Sequence, residues 1–237
     1  MKAINLISKS NIRSCPKGKT IFFCAMTLIF AGCLGPKKIN KWVAKKYGEA
    51  PAQIKKKNNS IIITSTVPSM GDVLSTTQKK TSHVLPLLFY WQWDYKNTCT
   101  LNPQIAVNNF TATVLSYANK GLIQKLAGER LELTIEKIPT SFAIDDKGHM
   151  IWVIYAFGWD ILTVLPEDHN MIVGYKVFNA DNTQTKSGKI TVSNSDKGLT
   201  LGMWQSLRKK TYQYLDQYDE TITSMSKICV DKLKKEL

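Results

Sequence analysis

Residues 89–95 read FYWQWDY, and whether those rings line a surface or fill a core decides how the chain folds. Strand side chains alternate between two faces, so Phe89, Trp91, Trp93 and Tyr95 share one side and Leu88, Tyr90, Gln92 and Asp94 the other. Large rings prefer burial. The first set is therefore read as core, and Tyr90, Gln92 and Asp94 as the surface left for contact. The competing reading is a ring platform on which a ligand stacks.

Working outward, IIITSTV at 61–67 is rich in β-branched residues and predicts a strand closed by Pro68. The polar stretch with Lys79 and Lys80 reads as a loop, followed by a second strand over 84–95. Pro86 has no N–H for a ladder and fits the start or an edge of that strand. Asn102-Pro103 is a helix start, with Phe110, Val114, Tyr117, Leu122 and Leu126 near the helical period and Gly128 as the stop. LELTIEKI (131–138), MIWVIYA (150–156), 161–165, 171–177 and KITV (189–192) read as strands, separated by the turn chemistries Asp-Asp-Lys-Gly, Pro-Glu-Asp-His-Asn and Asn-Ala-Asp-Asn. From about Leu199 onward, Trp204, Leu207, Tyr214, Leu215, Tyr218, Ile222, Met225, Cys229 and Leu233 form one apolar stripe. The order strand, strand, helix, strands, long helix predicts an α+β domain over 59–237: a single antiparallel or mixed sheet covered by two amphipathic helices.

The beginning of the chain has a different character. Residues 1–19 carry Lys2, Lys9, Arg13, Lys17 and Lys19 without an acid, and 20–31 form the apolar run TIFFCAMTLIFA. Twelve apolar residues are too few for a membrane-spanning helix, which needs about twenty. A basic segment, a short apolar run and small residues are the parts of an export signal. The run ends Phe30-Ala31-Gly32-Cys33, which resembles the lipobox of bacterial lipoproteins, with Phe30 where Leu is commoner. The resemblance implies that 1–32 is removed and that Cys33 becomes the lipidated first residue. Several acyl chains at about 0.8 kcal/mol per buried methylene hold a protein on a membrane. Residues 33–58 then read as a Lys-rich tether with a short amphipathic helix through Ile39, Trp42, Val43 and Tyr47. That helix either lies on anionic headgroups or packs on the domain, and packing is the reading preferred here.

The net charge of +14 is concentrated at this end. The first 62 residues carry 13 basic side chains against Glu49 alone, whereas 63–237 carry 19 against 17. The domain has no basic stripe interleaved with aromatics, so nucleic acid is not an expected partner. Once the signal is removed and Cys33 acylated, Cys99 and Cys229 remain as a candidate disulfide or as two buried thiols. His83, His149 and His169 are placed in loops, none at metal-ligand spacing. The carboxylate pairs Asp145-Asp146 and Glu167-Asp168 sit in turn contexts. No nucleophile elbow, phosphate loop or dinucleotide fingerprint occurs. The expectation is a protein that is not an enzyme and needs no cofactor or metal.

Taken together, the lipobox at Cys33, IIITSTV, the Asn102-Pro103 helix, LELTIEKI, MIVGYKVFNADNTQTKSGKITV and the final amphipathic helix resemble auxiliary lipoproteins of lipid-trafficking ABC systems and related outer-membrane lipoproteins. That resemblance implies a membrane-anchored, non-catalytic role in envelope assembly or as an accessory to transport, exerted through an envelope protein partner. Leu34 after the lipidated cysteine, in place of the Asp that favours inner-membrane retention, implies the periplasmic face of the outer membrane. The alternative is a surface-displayed lipoprotein that binds a glycan or peptide.

Overall fold

Alternating burial builds the first of two sheets. In the computed structural model, which describes residues 35–48, 60–68, 75–85, 90–118, 121–152, 156–194, 196–202 and 204–237, β1 (Ile61–Ser65) runs parallel to β4 (Arg130–Lys137), pairing Ile61 with Leu131 and Ile63 with Leu133. On its other side β4 is antiparallel to β7 (Asn170–Phe178), which is antiparallel to β8 (Gln184–Ser193). One face presents Ile61, Ile63, Leu131, Leu133, Ile135, Met171, Val173, Val177, Ile190 and Val192, all buried. The other carries Glu132, Thr134, Glu136, Lys176 and Lys189. Tyr175 lies flat over Gly188, where a Cβ would come within 2.7 Å of the ring.

The second sheet is antiparallel throughout, in the order β2 (Ser75–Leu85), β3 (Tyr90–Thr100), β5 (Ser141–Trp152), β6 (Ala156–Pro166), β9 (Leu199–Thr200). Its four long strands are rooted at one end only. There Asn97, Cys99, Phe142, Ile144 and Val164 are buried. At the opposite end, residues 90–94 and 157–161 are half-buried or exposed without exception.

Among the described residues four helices complete the fold: α1 (Pro36–Tyr47), α2 (Pro103–Ala118), α3 (Leu122–Leu126) and α4 (Leu207–Glu236). The start of α2 is as the sequence predicts, with Asn102 Oδ1 accepting the Gln104 N–H at 2.9 Å and Pro103 opening the helix. The expected continuous helix to Gly128 is divided instead. It ends at Ala118, and the short α3 follows between Gly121 and the left-handed pair Ala127 and Gly128. Thirty-residue α4 is about 45 Å long, enough to cross both sheets. Near its start Tyr214 packs on Phe142 of β5 with centroids 5.3 Å apart, and Tyr218 donates to the Pro139 carbonyl at 2.7 Å. Near its end Lys232 reaches the Thr191 carbonyl of β8 and Tyr175 donates to Glu236.

α1 is part of the compact unit that runs from Pro36 to Leu237. Ile39 and Val43 are fully buried. Tyr47 donates to Asp219 Oδ1 at 3.0 Å, and Lys46 pairs with Asp216 and Asp219 of α4. Of the two readings of this helix, packing on the domain is the one observed.

The single covered sheet is thus corrected to a mainly β fold with two sheets, of four and five strands. Four readings account for the error. The segment with Lys79 and Lys80 is strand β2, not a loop. The expected strand over 84–95 contains the link between β2 and β3, and MIWVIYA contains the link between β5 and β6. Asp-Asp-Lys-Gly, expected as a turn, lies in the middle of β5. Pairing with neighbours on both sides overrides local turn preference there.

Candidate binding surface at the free end of the second sheet

Residues directly opposite in antiparallel strands share a face, so the registers of β3, β5 and β6 order the free end into two surfaces. On the first, three cross-strand rows run Tyr90–Ile151–Phe157, Gln92–His149–Trp159 and Asp94–Lys147–Ile161. His149 sits between two rings, stacked on Trp159 at 5.3 Å and on Tyr90 at 6.0 Å. The Tyr90 hydroxyl lies 2.5 Å from His149 Nδ1, which fixes the imidazole against the sheet. Asp94 and Lys147 approach to 3.9 Å. Gln92, Asp94, Phe157, Trp159 and Ile161 are exposed.

The second surface continues the core face beyond the reach of the helices. It carries Trp91 and Met150, then Trp93, Gly148 and Asp160, then Tyr95, Asp146 and Leu162. Trp91 and Trp93 pack with centroids 5.3 Å apart. Trp93 lies across Gly148 so closely that a Cβ there would fall 2.1 Å from the ring, and its Nε1 donates to Asp146 Oδ1 at 2.9 Å. Desolvation raises the Asp146 carboxyl above the ordinary carboxylate range, the Trp93 bond partly offsetting it and the charges of Asp160 and Asp94 adding to it.

The sequence placed the rings of 89–95 on one side and Tyr90, Gln92 and Asp94 on the other, and β3 has that alternation. Phe89 lies outside the described residues. Trp91, Trp93 and Tyr95 are on the core face as expected, yet only half-buried, because the sheet outruns its cover. His83 and His149, expected in loops, stand in strands β2 and β5. Asp145 and Asp146 are successive strand residues and point to opposite faces, so they form no catalytic pair. Glu167 binds Lys96, and Asp168 accepts from Ser141 Oγ at 2.7 Å; both brace the rooted end. Among the described residues no cluster of His, Cys, Asp and Glu could hold a metal ion. Cys99 and Cys229 are free, buried thiols, each pushed up by desolvation, to about 11 and about 12 respectively. Cys33 lies outside the described residues.

Sequence reasoning missed Phe157, Trp159 and Ile161. Their period-two spacing in FGWDI is legible, but strands read over 150–156 and 161–165 leave 157–160 between them. They are three of the seven exposed large hydrophobics among the described residues and share one face of one strand, whereas Val84 and Trp152 are exposed at the same end on the opposite face. Three adjacent exposed apolar side chains mark a contact surface, whereas single exposed hydrophobics are ordinary.

Comparison with known proteins finds no matching family model, no matching curated protein and no matching solved structure.

Proposed function

We propose that this chain is a lipid-anchored, non-catalytic lipoprotein of the cell envelope that works through protein contacts, in envelope assembly or as an accessory to a lipid or ABC-type transport system. Cys33 is the lipid attachment point, and the domain occupies the periplasmic side of the outer membrane. The run TIFFCAMTLIFA-Gly-Cys supports the anchor. The observation that carries the contact role is the free end of the second sheet, where Phe157, Trp159 and Ile161 are exposed side by side on one face, with Val84 and Trp152 exposed on the opposite face. α1 begins three residues after Cys33 and meets β2 at its start, through Asn40 and Thr76. Thr76 and Val84 lie about 26 Å apart along that strand, so the contact surface stands well away from the point where α1 touches the sheet.

The test has two arms. Labelling with an alkyne fatty acid should mark the wild-type chain and not Cys33→Ala, and the labelled chain should fractionate with the outer membrane; recovery in the inner membrane overturns the placement. Cross-linking followed by gentle solubilisation should co-purify a transport or assembly protein of the envelope, and recovery of the chain alone counts against the contact role. A second reading, display on the cell surface for glycan binding, is favoured by the stacked Tyr90, His149 and Trp159 beside the exposed Gln92 and Asp94. Protease added to intact cells separates the two, because a periplasmic domain resists until the outer membrane is opened.

A further inference from the structure

We propose that the open edge of β6 at residues 157–161 is an acceptor for an extended segment of the partner protein, which adds to the second sheet as a further strand and alternates apolar with basic residues. The proposal rests on the protein-contact reading above and names where that contact is made.

Backbone direction comes first. The Leu162 carbonyl accepts from Leu201 N–H at 2.8 Å on the β9 side. The N–H and C=O of one strand residue point to the same side, and successive residues alternate. Gly158 and Asp160 therefore also direct their backbone groups away from β5, toward the outer edge. β9 pairs only with Thr163 and Val164, and among the described residues no strand pairs with 157–161 on the side away from β5. An unpaired row of this kind is a template for strand addition.

The chain guards its other edges. The outer strand β2 carries Lys79, Lys80 and His83, β8 carries Lys186 and Lys189, and β1 has only five residues. Lysine and short length are the usual deterrents to edge pairing. The free part of β6 has neither Lys nor Pro, and its register with β5 is continuous from Trp152–Ala156 to Phe142–Pro166. Its one charged residue is Asp160.

Charge and shape choose the occupant. On one face an added strand would lie beside Phe157, Trp159 and Ile161, which are 63, 51 and 57% exposed; apolar side chains at every second position would cover them. On the opposite face it would lie beside Asp160, with Asp146 one strand further in, so the intervening positions suit Lys or Arg. A second copy of this chain suits the edge less well, since antiparallel pairing of two such edges about Trp159 brings the two Asp160 carboxylates onto neighbouring strands.

The test uses the full chain in detergent and a phage-displayed library of linear random peptides. Selected peptides should alternate apolar and basic residues. At a concentration 100 times Kd they should slow hydrogen exchange of the Gly158 and Asp160 amides by about 100-fold. Asp160→Pro deletes an outward N–H while leaving the β5 ladder intact, and should weaken binding about tenfold. Asp160→Asn, which keeps that N–H, should weaken it less. Trp159→Lys, which leaves the backbone unchanged, should weaken binding at least as much as the proline variant and keeps the test decisive if that variant fails to fold. Absence of enriched peptides, protection elsewhere than 157–161, unchanged binding by Asp160→Pro, or a dimer of the chain that forms through this edge would each overturn the proposal. Acylation of Cys33 is read independently, so an acylated chain without peptide binding sinks the edge alone, and peptide binding without acylation sinks only the anchor.

Discussion

The two sheets spend their apolar residues in opposite ways. In the four-stranded sheet, alternation carries every large aliphatic residue of β4 inward, and α4 closes over it. In the five-stranded sheet the same alternation places Trp91, Trp93 and Tyr95 on the core face, but the strands continue past the helices and the rings are left half-covered. Period-two patterning thus specifies which residues share a face, while burial depends on whether another element reaches that face. The first sheet is a stabilising structure. The second is stabilising at its root and leaves its free end half-buried or exposed among the described residues.

Substitutions should separate these roles, and the largest effect belongs to the covered sheet. Leu133→Ala removes a fully buried side chain and should cost about 2–5 kcal/mol in urea unfolding. Trp159→Ala should stay within about 1 kcal/mol although a larger side chain is lost; comparable losses at both sites would end the distinction between the sheets. Next comes Gly148→Ala. Its methyl would meet the Trp93 ring, so the variant should lose about 1–3 kcal/mol and show altered tryptophan emission. An unchanged melt would mean that Trp93 moves aside without cost.

A smaller effect tests how firmly α1 belongs to the rooted part. Tyr47→Phe removes the hydrogen bonds to Asp219 and the Leu215 carbonyl and should cost about 1 kcal/mol, read from the same unfolding curves. The smallest is pH-dependent. Because the folded Asp146 carboxyl is raised by desolvation, the folded chain binds that proton more tightly than the unfolded chain. Stability therefore falls as pH rises from the ordinary carboxylate range through the raised folded value. Asp146→Asn keeps an acceptor for Trp93 and removes this loss, so its stability relative to wild type should grow with pH across that window. A constant difference would show that the carboxyl titrates normally.

Much of the four-stranded sheet was legible because its strands have one wet and one dry face. LELTIEKI, the 171–177 segment, KITV and the Asn102-Pro103 cap all appear near their expected places. The five-stranded sheet was not, for a physical reason. A strand wet on both faces has no hydrophobic period, so the Ser75–Leu85 segment looked like loop, and Asp-Asp-Lys-Gly, with turn residues in sequence, looked like a reversal. Within the candidate site Tyr90, Gln92 and Asp94 were readable from alternation, whereas Phe157, Trp159 and Ile161 became visible only when β6 was aligned with β5.

By itself the sequence determined the faces: which side chains of β3, β4 and β7 lie together, where α2 begins, which stripe of α4 is apolar, and that charge gathers at the start of the chain. These follow from residue spacing, which any folded form must respect. Only the tertiary structure decided that the strands divide between two sheets, that α1 docks on α4, and that the second sheet outruns its helices to leave β6 with an open edge. Those depend on which distant segments pair and where their cover ends, and neither is encoded in the period of any single segment.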